Sequence, residues 1–112
     1  MSKSLKARCI RRWTVEFKAR CDSKFSPYWR KSHLRGYIRE CGLTTADCMV
    51  ERMAESNARV DFGITGWTPE FSAWYGERRE QYRKEALDHL NEEASNDEID
   101  EEIEAELDAW DD

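Results

Sequence analysis

Residues 5–21, LKARCIRRWTVEFKARC, bring an apolar side chain back at every fourth position: Leu5, Cys9, Trp13, Phe17 and Cys21, with Ile10 beside them. A period near 3.6 places these residues on one stripe of an α-helix of about five turns, whereas a strand would scatter them over both of its faces. Arg8, Arg11 and Lys18 fall on the opposite side. The chain thus contains an amphipathic helix with a basic outer surface, and that helix needs neighbours to cover its stripe.

The neighbours follow in the same idiom. Ser26 before Pro27 is a cap and first-turn pair, because proline's missing donor is harmless in the first turn, and it opens a second helix through Tyr28, Trp29, Leu34, Tyr37 and Ile38. Gly36 weakens its middle and Gly42 is expected to stop it, with Thr44 and Thr45 restarting a third helix through Met49, Val50 and Met53. The stretch 61–67, DFGITGW, carries two glycines and reads as a loop or a very short extended piece. Thr68, Pro69 and Glu70 then start a further helix with an aromatic inner face of Phe71, Trp74, Tyr75 and Tyr82, continued by Ala86 and Leu90. Glu80 and Lys84 are set for a favourable pair along its outside. Ser95 with Glu98 forms a capping-box pattern before the last segment, in which Ile99, Ile103, Leu107 and Trp110 keep helical spacing. The fold class expected is all-α: a helical bundle of about four helices in residues 1–94, and an acidic amphipathic helix in 95–112.

Charge is divided as sharply as hydropathy. Residues 1–40 hold 12 Lys and Arg against 3 acids, while residues 90–112 hold 12 acids and no base, so the net −6 conceals two opposite ends. Such a division bears on partners and association rather than on fold. At 112 residues with 39% hydrophobic content, one modest core is expected. No apolar run approaches the about 18 residues of a membrane span, and residues 1–5 lack a hydrophobic secretion leader, so a cytoplasmic location is expected.

The acidic end can be weighed. In a helix over 96–110, Asp97 with Glu101, Glu98 with Glu102, Asp100 with Glu104, Glu102 with Glu106, and Glu104 with Asp108 each set like charges one turn apart. At roughly 0.2–0.5 kcal/mol per pair, together they oppose the helix by about 1–2.5 kcal/mol. Alone the segment is marginal, and a basic surface in the same molecule or on another protein would steady it. A purely solvating tail would not need four apolar residues on one stripe.

The basic end, with its interleaved aromatics, has the composition of a nucleic-acid surface. Trp13 and Phe17 belong to the core face, which leaves Arg8, Arg11, Arg12, Lys18, Trp29, Arg30, Lys31 and Arg35 as the candidate contacts to DNA or RNA. A helix-turn-helix with its turn over residues 37–43 fits poorly, since Asp47, Glu51 and Glu55 would then face phosphate.

Signs of chemistry are sparse. Cys9, Cys21, Cys41 and Cys48 have neither the close pairs of a zinc site nor an adjacent base, and His33 and His89 stand far apart. No phosphate loop, nucleophile elbow or zinc-protease helix is present, and no metal, cofactor or catalytic residue is assigned. The expected class is a non-enzymatic regulator or inhibitor of a nucleic-acid-processing protein. Its contacts would be Asp97, Glu98, Asp100, Glu101, Glu104 and Asp108 in place of phosphates, with Leu107 and Trp110 as apolar anchors. The alternative is a nucleic-acid-binding accessory protein whose basic helices are masked by the acidic end. A homo-oligomer joining basic to acidic ends is a third expectation.

Overall fold

The computed structural model describes residues 4–21 and 32–110 and, within them, every side chain except those of 18–21, 32–34 and 110. Four helices account for almost all of it: α1 (Leu5–Cys21), α2 (Ser32–Phe62), α3 (Pro69–Glu93) and α4 (Asn96–Trp110). Among the described residues there is no strand, so the class is all-α and the acidic segment is its amphipathic last helix. None of these helices is long and apolar enough to cross a membrane.

The four-residue stripe of α1 is the centre of the core. Leu5, Cys9 and Trp13 are fully buried, and Phe17 packs at the margin with its ring 5.6 Å from that of Trp13. The first turn is closed from two directions. Ser4 Oγ accepts from the Ala7 amide (3.2 Å), and the Leu5 amide donates to Asn91 Oδ1 of α3 (2.7 Å).

α2 corrects one expected boundary. It runs unbroken through Gly42, where the sequence predicts that two helices meet, so the helix-turn-helix geometry is absent. Gly42 is glycine for lateral room rather than for a turn. A Cβ there would lie 2.5 Å from Ile10 Cγ1, 2.7 Å from Ile10 Cα and 2.8 Å from Ile10 N, so α1 crosses α2 at backbone distance. The stop comes beyond Met53, where Gly63 takes a left-handed φ of 88° and its amide donates to Arg59 O (2.8 Å). Asp61 and Phe62, which read as loop in the sequence, are the end of α2, and the link to α3 is residues 63–68. The Ser26–Pro27 start lies outside the described residues.

α3 begins as its sequence predicts. Thr68 is the N-cap, its hydroxyl accepting from the Phe71 amide (3.1 Å), with Pro69 in the first turn. Phe71 and Tyr75 are buried and stacked at 5.6 Å, while Phe62 meets Phe71 edge-on at 5.5 Å, which ties the end of α2 to the start of α3. Further along, Glu51 of α2 accepts from Arg79 Nε (2.9 Å) and Arg83 Nη1 (2.7 Å), and Arg83 also reaches Asp47. Burial alone would raise the Glu51 carboxyl, but the hydrogen bonds from Arg83 and Arg79 outweigh it and hold the group below the ordinary carboxylate range. Glu80 and Lys84, set for a pair along the helix, form none.

α4 folds back onto α1 and α2, burying Ile99, Ile103 and Leu107. Ser95 Oγ caps it by accepting from the Glu98 amide (3.1 Å). Three buried aliphatic side chains stabilise the docked helix by about 5–9 kcal/mol as an upper estimate, more than the about 1–2.5 kcal/mol of like-charge opposition along it.

Two glycines of α2 give opposite expectations. Gly42→Ala should destabilise the fold by about 1–3 kcal/mol, because the clash with Ile10 outweighs the gain in helix propensity. Gly36→Ala, with nothing within 4 Å of the added carbon, should stabilise by about 0.5–1 kcal/mol. Urea denaturation of the two variants checks the pair, and equal effects would contradict the close crossing.

Candidate interaction surface

α4 sorts its residues by angle. At 100° per residue, Ile99, Glu102, Ile103, Glu106 and Leu107 share the inner arc, and Asp97, Glu101, Glu104 and Asp108 fall on one outer line. The inner set is buried or half-buried, and the four outer acids are exposed, as is Glu98 next to them. None of these five exposed carboxylates is in an ion pair with a described residue. The outer line is about 16 Å long, with neighbouring Cβ atoms about 5–6 Å apart.

Cations on the two neighbouring helices anchor the remaining acids. Arg12 of α1 forms a two-pronged pair with Asp100 (Nε–Oδ1 and Nη2–Oδ2, both 2.8 Å). Arg52 of α2 does the same with Glu102 (Nη1–Oε2 2.6 Å, Nη2–Oε1 2.9 Å), its own side chain 68% exposed while that of Glu102 is 10% exposed. Arg8 donates to the Ala94 carbonyl, where α3 ends, and reaches Asn96 Oδ1 (3.4 Å). Partly exposed pairs of this kind contribute at most about 1 kcal/mol each, so their main effect is to fix how α4 is rotated.

Glu106 is the exception on the inner face. Its Oε2 accepts from the Thr45 hydroxyl (2.6 Å), which in turn accepts from Trp13 Nε1 (2.7 Å), so one chain of hydrogen bonds links α1, α2 and α4. Its Oε1 is buried with no hydrogen-bond partner among the described residues. Thr45 Oγ1 is also 3.0 Å from the Cys41 carbonyl, and with one proton it serves one acceptor at a time. Burial, aided by the charge of Glu102, pushes the Glu106 carboxyl above its ordinary range against the Thr45 hydrogen bond and Arg52.

The thiols near this network are held neutral. Burial pushes Cys9 up to about 12, against the nearby Arg8 and with Glu106 and Glu102 adding to the rise. Cys41 and Cys48 are raised as well, first by burial and then by neighbouring groups that include Glu106. Neutral thiols are poor nucleophiles and poor ligands. Among the described residues, no three His, Cys, Asp or Glu side chains are grouped to hold a metal ion. His89 is exposed.

The residues expected at the acidic site are therefore divided. Asp97, Glu98, Glu101, Glu104 and Asp108 lie together on the surface, Asp100 is engaged by Arg12, and Leu107 is buried, so it holds α4 to the core instead of presenting an anchor. Trp110 ends α4, and its side chain is outside the described set. Of the basic residues, Arg11 and Arg35 are exposed, whereas Arg8 and Arg12 are occupied by α3 and α4. The side chain of Lys18, and Trp29, Arg30 and Lys31, lie outside the described residues. Sequence reasoning missed Glu102 and Glu106 as inner-face acids, although the i, i+3, i+4, i+7 spacing from Ile99 carries that signal. Nothing in the sequence pairs Arg52 with Glu102.

Comparison with protein-family models, with curated proteins and with solved structures finds no match for this chain.

The buried Glu106 carboxyl yields a pH signature. With its folded value raised, the contribution of the protonated form is fully present at and below the ordinary 4.5 and is lost as pH rises through the elevated value. Glu106→Gln should thus be at least as stable as the wild type at neutral pH, and the gap should close as pH falls toward 4.5. Thermal melts of both proteins across that window check it. A gap that widens on acidification would contradict the burial described.

Proposed function

We propose that this protein is a binding protein without catalytic activity, which presents the outer face of α4 to the basic cleft of a nucleic-acid-processing protein, its carboxylates standing where a polyanion's phosphates would lie. The observation that carries this reading is the line of exposed acids, Asp97, Glu101, Glu104 and Asp108, unpaired among the described residues, on a helix pinned from behind by buried aliphatics and two arginine pairs. Fixed charges are better competitors for such a cleft than a loose acidic tail. Their ordering entropy has already been spent in folding, so it does not weaken binding. Complementary potential also speeds encounter and makes it sensitive to salt.

A second reading, with the basic helices contacting DNA or RNA and α4 masking them, draws support from the engagement of Arg8 and Arg12 by Ala94, Asn96 and Asp100. It carries less weight, because unmasking would expose Ile99, Ile103 and Leu107 at a cost of about 5–9 kcal/mol. Direct binding of the intact chain to labelled duplex or RNA, weakening steeply with salt, would favour it.

The test is capture from a nuclease-treated lysate of the source cells with two baits: the wild type, and the variant Asp97→Asn/Glu101→Gln/Glu104→Gln/Asp108→Asn. All four sites are exposed, so the variant should keep the wild-type fold. The wild type should retain proteins that soluble duplex DNA releases, and the variant should lose at least about nine-tenths of them, a cost of roughly 1.4 kcal/mol or more. Equal capture by both baits would reject the proposal.

A further inference from the structure

Resting on that reading of α4, we infer that the partner's contacting element is a basic amphipathic helix, and that it seats in the groove between α2 and α4 beside the outer acidic line. The groove has a volume of about 560 Å³. Its floor is apolar: Met49, Met53 and Leu90. One wall is α2, contributing Arg52, Ser56 and Asn57, and the other is α4, contributing Glu98, Glu101, Glu102 and Ala105.

Both walls are regular. The α2 residues follow i, i+3, i+4, i+7, i+8 spacing from Met49 and the α4 residues follow i, i+3, i+4, i+7 from Glu98, so each presents one continuous helical ridge. The trough between them is about 10–12 Å long, enough for two turns of a third helix packing a ridge into it. An occupant of that length offers apolar anchors at i, i+3 or i+4, and i+7 to the floor, the pattern of helix-in-groove recognition. Methionine suits such a floor, because its unbranched thioether side chain conforms to differing shapes.

The charge chooses the occupant's sign. Three carboxylates face a single guanidinium, and that guanidinium is already spent on Glu102. Glu98 and Glu101 remain exposed on the rim and unpaired among the described residues, so cationic side chains flanking the apolar anchors find partners there. The arm of Arg52 across the groove to Glu102 displays the geometry that an incoming arginine can repeat one turn away. A second groove, lined by α1, α2 and α3, mixes Lys6, Arg83 and Lys84 with Asp47 and Glu80, and its nearly balanced charge selects no occupant.

The probe is a fluorescein-labelled peptide of two heptads with Leu at helical spacing and Lys elsewhere. Its control has the same composition with the Leu positions scrambled. Anisotropy titrations of the full chain at about 0.15 M salt should give at least roughly tenfold tighter binding of the amphipathic peptide than of the control. Ala105→Trp, which fills the groove, and the exposed pair Glu98→Gln/Glu101→Gln should each weaken it about tenfold, with helicity by circular dichroism unchanged. Should the tryptophan variant fail to fold, the glutamine pair decides alone. Asp97→Asn/Glu104→Gln/Asp108→Asn should leave the preference for the amphipathic peptide over the scrambled one intact. Equal binding of the two peptides, no binding of either, or wild-type affinity in a folded groove variant would overturn the groove. The α4 reading itself stands or falls separately, with the four-acid capture experiment.

Discussion

Where α1 crosses α2 there is room for a hydrogen atom on Gly42 and for nothing larger, because the backbone of Ile10 occupies the space a side chain would take. That closeness sets the spacing of much of the bundle. It brings the stripe of Leu5, Cys9 and Trp13 against the Cys41 to Val50 portion of α2, so that Trp13 reaches Thr45 and Thr45 reaches Glu106. A wider crossing would separate these three helices by more than a hydrogen bond can span. The seat on which α4 lies is thus a product of one residue having no side chain.

α4 reconciles two demands that usually conflict. Its inner aliphatics provide the burial that outweighs charge repulsion, and they leave the outer acids free of any structural duty. Among the described residues, the arginines that pair with α4 do so with acids at or inside its boundary: Arg12 with Asp100 and Arg52 with Glu102. The result is a rigid negative edge on a helix whose inner side lies against the basic helix α1. Glu106 marks the limit of this arrangement, since an acid placed one turn too far inward has one oxygen satisfied and one orphaned.

Much of this architecture is legible in the order of residues alone. The stripe of α1, the Thr68–Pro69 start, the aromatic face of α3 and the Ser95 cap depend on contacts within a few residues, and local pattern reports such contacts directly. Gly42 is not legible in this way, because a glycine that stops a helix and one that admits a neighbouring backbone look alike in one dimension; the difference lies in Ile10, thirty-two positions away. Gly63, by contrast, is a true stop, betrayed by its left-handed backbone. At the candidate site the outer acids are legible as a helical set. Leu107 invites an outward assignment only when its apolar character is weighed without its angle, which places it on the same side as Ile99 and Ile103. The groove is invisible to sequence, since its two walls lie more than forty residues apart and only folding puts Met53 beside Glu101.

The tie between the Leu5 amide and Asn91 spans 86 positions. α1 is made before α2, α3 and α4, yet the acceptor that completes its opening turn lies in α3, and the carbonyl that receives Arg8 is that of Ala94, where α3 ends. Of these four helices, the first to be made therefore waits for the third before its opening turn is closed. Until α3 and α4 have been made, α2 is the one other of these four helices that can shield its buried stripe, which makes a nascent chain cut short of α3 a far stickier object than one that carries all four.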